Sequence, residues 1–396
     1  MPHIAIHQDK ITDIEALVGI CPFGAIEIVD GRLEISAGCR ICRLCIKRGN
    51  GVFELVEEPI ATVDKSAWRG VAVIAEVEDG AVHPVTFELI GKAKELAAKV
   101  KQPVYALLIG SGVEPLAPLL TEYGADIVHV YDKEDFRYFR IEPYTAAAED
   151  FIRKVRPSAI LVGGTPAGRS LAPRLAARFR TGLTADCTKL DMAETTDLDQ
   201  IRPAYGGNIM AHINTPRHRP QFATVRYKIF SIPPRRPNPA ARIVRAELPP
   251  AKLVSGIEIL HAELKERVRG IEDAEVIVAA GRGVRKPEDL TMLQELADLL
   301  DGRLASTRAL VEAGWMDARC QIGLSGRTVK PKLIITCGVS GAIQFVAGMN
   351  GAEKIVAINS DPEAPIFNVA HIGIRGDLYK IVPKLIAEIK RVRKED

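Results

Sequence analysis

From Trp68 onward the sequence alternates short β-branched runs with longer helix-patterned stretches, and this alternation restricts the fold more than any other feature of the chain. VAVIAEV (71–77), VYALLIG (104–110), IVHVY (127–131) and AILVG (159–163) are nearly continuous apolar runs, as expected of strands buried on both faces. TFELIGKAKELAAKV and EPYTAAAEDFIRKV lie between them and repeat apolar residues at helical spacing. Parallel strands need long crossovers, so strands separated by helices predict a parallel sheet covered by helices. A second α/β unit is expected from about Ala251 to the end, with EVIVAAG, LIITCG and KIVAIN as buried strands. EDLTMLQELADLL and DLYKIVPKLIAEIKRVRK are its helices, and Pro383 should kink the last one or delay its start. Between the two units, Ser231 to Pro250 carries PPRRPNP and ends in LPP, so it can be neither an interior helix nor a central strand. It reads as an extended crossing segment or linker.

The first sixty or so residues have a different composition. Four of the seven cysteines (Cys21, Cys39, Cys42 and Cys45) fall here, among short elements. IAIHQDKI reads as a strand, ITDIEALVGI as a short helix capped by Thr12 or Asp13, and AIEIVDGRLEIS as a hairpin turning at Asp30-Gly31. So short a segment buries little core, and a metal cluster would supply the missing stability. Cys39-x-x-Cys42-x-x-Cys45 sets three thiols on one tight loop, as in the run of bacterial ferredoxins, where a fourth cysteine stands four residues further on. That position is Gly49 here. An isolated Cys-Pro, Cys21-Pro22, lies upstream and supplies the fourth thiol. The region resembles half a bacterial ferredoxin, with Cys21, Cys39, Cys42 and Cys45 around a single [4Fe–4S] cluster. A four-cysteine zinc site is the alternative, although such sites usually pair two C-x₂-C knuckles. Cys187, Cys320 and Cys337 sit in apolar or strand contexts and read as buried, unreactive thiols.

Charge excludes several functions. Of the 396 residues, 53 are Lys or Arg and 50 are Asp or Glu, a net charge of +3 that suits neither a nucleic-acid binder nor a membrane-surface protein. Arg217-His218-Arg219 and Arg235-Arg236 lack interleaved aromatics and read as a solvated or subunit-contacting face. No apolar run reaches membrane-spanning length, and MPHIAIHQDK is not a secretory leader, so a cytoplasmic protein is expected. The histidines are scattered singly and no nucleophile–base constellation stands out.

In the C-terminal unit, three turns follow expected strands: Gly281-Arg282-Gly283, Gly323-Leu324-Ser325-Gly326 and Gly338-Val339-Ser340-Gly341. Ligands of open α/β sheets bind at the carboxyl ends of strands, where glycine lets the backbone approach a phosphate. Ser340 to Gln344 is expected to open a helix whose amides face a pyrophosphate. No G-x-G-x-x-G is present, so these turns alone indicate a nucleotide-like ligand. Each is equally readable as a plain strand-to-helix connection.

Longer stretches are more specific. LIITCGVSGAIQFVAGMNGAEKIVAIN, the following SDPEAPIFNVAHIGIRGDL, VIVAAGRGV and STRALVEAGW…QIGLSGRTVKP together resemble the α subunit of electron-transfer flavoproteins. GGTPAGRSLAPRLAARFRTGLTADCTKL and PAYGGNIMAHINTPRHRPQFATVR extend the resemblance over nearly all of residues 68–396. The resemblance implies an α/β protein in three parts: a half-ferredoxin-like domain (1–62), a parallel-sheet domain (63–250) and a doubly wound, flavodoxin- or Rossmann-like FAD domain (251–396). It implies that Arg282 lies near the isoalloxazine and that Ser325, where many members have Thr, hydrogen-bonds flavin N5. Thr307, Ile322, Gly323 and Leu324 match further flavin contacts. Ser340, Gly341, Ala342, Ile343 and Gln344 match the ribityl and pyrophosphate segment, and Asn359, Asp377 and Leu378 the adenosine half. Two positions depart from the pattern, Phe345 where many members have His and Leu324 where many have Gln, and both remove a polar partner from the flavin.

The family pairs α with a β subunit that holds AMP or a second FAD, and its FAD domain swings. Residues 251–256 are the hinge candidate. An α subunit fused to a ferredoxin-like domain is similar to those of electron-bifurcating complexes. There NADH is oxidised at the β flavin, and ferredoxin and a flavin dehydrogenase of the acyl-CoA or lactate type each receive an electron. On this reading the chain is an electron-transfer subunit of an oxidoreductase complex. Two other readings are open: a non-bifurcating carrier fed by ferredoxin through the cluster, and a nucleotide-binding subunit without redox function.

Overall fold

The computed structural model describes residues 3–36, 38–56, 63–204, 209–238, 240–263 and 270–395. The expected domain edge at residue 62 and residues 205–208 of PAYGGNIMAH lie outside them. The chain divides into two units, Met1–Val63 and Asp64–Asp396.

In the first unit, strand His3–Ile6 pairs antiparallel with Phe53–Val56, and Ile26–Val29 pairs with Arg32–Ile35. The hairpin turns where the sequence places it. Asp30 and Gly31 both take positive φ, 50° and 77°, the two-residue turn that Asp-Gly favours. Helix Ile14–Val18 starts at Asp13, whose carboxylate accepts from the Ala16 amide at 3.1 Å, so Asp13 is the cap and Thr12 is not. The core is small: Ile4, Leu17, Ile26, Leu33, Val52 and Phe53, with Cys45 among them.

The second unit contains two parallel sheets. The first has seven strands in the order Leu183–Thr184, Gln221–Val225, Ala159–Gly163, Val71–Ala75, Val104–Gly110, Ile127–Asp132, Arg242–Arg245. Alternate residues of one strand serve opposite faces. Val71 and Val73 pack with Leu89 and Ile90 of helix Pro84–Val100, whereas Ala72 and Ile74 pack with Phe151 and Leu175 of helices Ile141–Val155 and Pro166–Arg178. The proline-rich segment contributes the edge strand Arg242–Arg245, in register with Ile127–Asp132, which is where proline-flanked residues can pair. An antiparallel sheet of Lys189–Met192, Leu198–Ala204 and Ile209–Ile213 was not foreseen from the sequence. The hinge candidate is tied to this lobe at two points. Leu253 is in its core, and the Ser255 hydroxyl donates to Glu142 at 2.9 Å.

The second sheet has five strands in the order Arg303–Ser306, Val276–Ala280, Leu333–Cys337, Lys354–Asn359, Ile372–Arg375. Numbered along this lobe the order is 2-1-3-4-5, the doubly wound flavodoxin-like arrangement. Helix Leu378–Glu395 does not start late, and Pro383 lies inside it. Its first turn is capped by Asp377, which accepts from the Tyr379 amide at 3.0 Å. Among the described residues no helix is long and apolar enough to cross a membrane.

Candidate functional site

The strand order of the C-terminal lobe places its switch point between Val276–Ala280 and Leu333–Cys337, because their outgoing connections leave toward opposite sides. Two of the three glycine turns meet there. The Gly283 amide donates to the Gly338 carbonyl at 2.9 Å, and a Cβ on Gly281 would stand 2.3 Å from the same oxygen. Gly341 has φ 85°, and a Cβ there would lie 2.2 Å from the Ile366 nitrogen. Bare backbone is therefore required at the carboxyl ends of both strands. Arg282 is exposed at the tip of its turn. The helix expected to open at Ser340 begins later, at Ile343, and is only four residues long. Exposed Ser340 and Ala342 flank the buried Gly341, and this loop, not a helix dipole, is what the turn can offer an anion.

The other expected contacts divide by what already holds them. The Asn359 amide donates to the Val339 carbonyl at 2.8 Å and its oxygen accepts from the Asp361 amide at 3.0 Å, so Asn359 shapes the loop. Asp377 pairs with Arg285 at 3.4 Å. Leu378, Ile322 and Phe345 are buried in the core, whereas Ile343 and Gln344 are exposed. Phe345 thus fills the interior beneath Ile343–Val346, with Met349 and Ile366 in the same cluster. At the end of the edge strand, the Ser306 and Thr307 hydroxyls are buried with no hydrogen-bond partner among the described residues. Orphaned hydroxyls of this kind point to a missing polar partner. Together with the bare glycines they fit a bound nucleotide cofactor.

Gly323 to Gly326 forms a loop between two cavities. Ser325 and Gly326 line one of about 750 Å³, opposite Glu76, Thr165, Arg169 and Arg226 of the first lobe. Gly323 and Leu324 line a smaller one of about 90 Å³. Arg226 borders both: its guanidinium pairs with Asp186 at 2.7 Å and donates to the Gly326 carbonyl at 3.4 Å. Arg226 was missed in the sequence, although it directly follows the strand Gln221–Val225. Burial raises the Glu76 carboxyl, although the Thr165 hydroxyl and His83 oppose it.

In the first unit, Cys21, Cys39, Cys42 and Cys45 line one chamber with Ile4, Ala25, Ile26 and Ile35. The loop that carries three of them is strained. Ile41 and Arg43, the residues on either side of Cys42, have φ of 52° and 64°. A β-branched residue there is an outlier that persists only when its surroundings demand it. The Ala25 and Ile41 amides approach the sulfurs of Cys21 and Cys39 at 3.3 and 3.5 Å. Burial first, then the nearby Cys39 and Cys42, raise the Cys45 thiol, against backbone amides that lower it. Among the described residues no three His, Cys, Asp or Glu side chains converge to hold one metal ion. Four thiols around one apolar chamber still suit a cluster, where each sulfur binds a different iron.

Several residues singled out in the sequence are structural. Burial lifts Cys187 and Cys337 to about 12. His129 is pushed down to about 4 by burial among Tyr105 and Phe151. Arg219 is not on a solvated face. Its side chain is fully buried and pairs with Asp197 at 2.8 Å.

Comparison with known proteins identifies the family. The profile of the electron transfer flavoprotein domain matches residues 71–251, and that of the electron transfer flavoprotein FAD-binding domain matches residues 270–350. The lactate dehydrogenase (NAD(+),ferredoxin) subunit LctC of Acetobacterium woodii is 55% identical, with 95% of this chain and 90% of that protein aligned. The electron transfer flavoprotein subunit alpha of Thermoanaerobacterium thermosaccharolyticum is 42% identical over 82% of this chain and 99% of its own length. That of Megasphaera elsdenii is 43% identical over 83% and 98%. The chain therefore belongs to the electron transfer flavoprotein alpha-subunit family, with an FAD-binding domain as its C-terminal lobe.

Proposed function

We propose that this chain is the α subunit of an electron-bifurcating complex, that its cysteine chamber holds one [4Fe–4S] cluster, and that its partner dehydrogenase oxidises or reduces a hydroxy acid of the lactate type. One observation carries the reading. The alignment with LctC spans 377 residues, more than Asp64–Asp396 contains, so it extends into the N-terminal unit. The alignments with the two electron transfer flavoprotein subunits cover only 82% and 83% of the chain. The feature shared with a protein named for lactate, NAD(+) and ferredoxin thus includes the cysteine-bearing unit.

Cys21, Cys39, Cys42 and Cys45 would hold the cluster, and the Ala25 and Ile41 amides would donate to its thiolates. Zinc is less suited, since it draws four sulfurs to within about 2.3 Å of one point. In the C-terminal lobe the bare turns at Gly281, Gly338 and Gly341 would take the pyrophosphate and ribityl chain. Ser306, Thr307 and Ser325 would offer hydroxyls, and Arg282 a fixed positive charge. FAD bound there supplies a centre that exchanges electrons singly. In the complex, the two electrons of NADH would divide at the β subunit's flavin. One would go to ferredoxin and one through this chain to the dehydrogenase.

The test is to co-express the chain with its β subunit and dehydrogenase and purify the complex without oxygen. About four irons per α chain are expected, with FAD in both subunits. NADH should reduce ferredoxin only while the hydroxy-acid couple accepts electrons. Equal rates without that acceptor, or AMP in the β subunit, would leave a non-bifurcating carrier. A colourless, iron-free complex would sink the redox reading. Replacing Cys39 and Cys42 together with serine should remove the iron and leave the FAD content unchanged.

A further inference from the structure

We infer that Gln321 is a positioning residue, which holds the Ser325 hydroxyl as a hydrogen-bond donor toward the large cavity. The inference rests on the reading that FAD binds beside this loop. Gln321 is 7% exposed and follows the short turn Ala318–Cys320. Its backbone is fixed on both sides. It bridges to Ser306 of the edge strand, and its carbonyl accepts from the Arg327 amide at 2.7 Å. A Cβ on Gly326 would stand 2.3 Å from that carbonyl, so the loop closes this tightly only around glycine. The Gly323 amide donates back to the Arg327 carbonyl at 3.2 Å, and the Leu324 amide to the Gln344 carbonyl at 2.9 Å. Within this ring the Gln321 side-chain amide donates to the Ser325 Oγ at 2.8 Å.

A hydroxyl has one hydrogen to donate and two lone pairs to accept with. Left free, the Ser325 hydroxyl would rotate and present either to a ligand. An N–H from Gln321 occupies a lone pair from the loop side and leaves the hydrogen for the cavity that Ser325 lines. Adding one electron without a proton places negative charge on an isoalloxazine. A donor already aimed at its edge favours the reduced ring, whereas a lone pair there opposes it. Gln321 would thus set the sign of the contact without touching the ligand.

The αβ complex is prepared as wild type and with Gln321→Met, Gln321→Glu and Ser325→Ala, singly and with each Gln321 change combined with Ser325→Ala. FAD content and the midpoint potential for adding the first electron to the α flavin are measured by spectroelectrochemistry. Gln321→Met keeps the volume, loses the donor and should lower the potential in the same direction as Ser325→Ala. In the Ser325→Ala background it should add nothing. A carboxylate at 321 only accepts, so Gln321→Glu should draw the hydroxyl hydrogen away. It should therefore lower the potential more with Ser325 present than without it. Strictly additive shifts for both Gln321 changes, or an unmoved potential in an FAD-loaded complex, would overturn the inference. A wild-type complex that binds no FAD in this subunit would instead refute the proposed function.

Discussion

Replacing Arg219 with methionine should destabilise the first lobe by about 3–5 kcal/mol, the cost of leaving a buried charge without its partner. The Arg219 side chain is fully buried and that of Asp197 is 9% exposed. Asp197 accepts from Arg219 at 2.8 Å, from Lys65 at 2.7 Å and from the Thr195 hydroxyl at 2.7 Å. The second half of the guanidinium donates to the His218 carbonyl at 2.9 Å. Burial alone would raise the Asp197 carboxyl. The hydrogen bonds from Lys65, Thr195 and Arg219 outweigh it and hold the group below its ordinary range. A depressed folded value means that this network stabilises the fold at neutral pH, and that its contribution fades as acid protonates Asp197. In Arg219→Met the balance turns toward burial, so the urea midpoint should fall most at neutral pH and least near pH 3. Adding Asp197→Asn to Arg219→Met should recover part of the loss, since removing both charges costs less than removing one. A single-variant midpoint equal to wild type at pH 7 would show that water reaches the pair.

Arg219 also marks where the sequence ceased to be readable. In the chain it sits in Arg217-His218-Arg219, beside residues that are exposed. Its partner Asp197 is 22 positions away in a turn of the three-stranded sheet, and nothing local announces that pairing. The same holds for Lys330, whose ammonium reaches the Ile229 and Phe230 carbonyls about a hundred residues earlier. Features that depend on period or on a single residue's backbone were legible: the buried runs of both parallel sheets, the Asp30-Gly31 turn and the bare glycines at the switch point. Strands Arg303–Ser306 and Ile372–Arg375 were missed because four residues are too few to show a period, and both lie at the sheet edges. The candidate cofactor turns came through as a long resemblance. The structure alone showed that Asn359 and Phe345 are engaged within the protein and that Arg226 stands at the cavity.

Glu88→Gln should make the protein more stable above pH 7 and leave it nearly unchanged near pH 4. Glu88 lies on helix Pro84–Val100, is 2% exposed and faces the loop that Lys330 of the C-terminal lobe engages. One carboxylate oxygen accepts from the Lys228 amide at 3.1 Å, and the other is buried with no hydrogen-bond partner among the described residues. Burial lifts this carboxyl to about 7, against the Lys228 amide and the charges of Lys330 and Lys228, which pull it down. A raised folded value means that the folded chain keeps its proton while the unfolded chain loses it. Stability from this site is therefore fully present below the ordinary value of 4.5 and is lost as pH rises toward 7. The gap amounts to roughly 3 kcal/mol at the alkaline end. Glutamine keeps the acceptor for Lys228 and cannot ionise. Urea midpoints from pH 4 to 8.5 should fall for the wild type and run flatter for Glu88→Gln, the curves parting above pH 5. Lys330→Met should act in the opposite sense, since removing that cation pushes Glu88 higher still and steepens the wild-type decline. Parallel pH profiles for wild type and Glu88→Gln would mean that Lys330 neutralises Glu88 as an ion pair across the two lobes, so that Glu88 is held charged rather than protonated.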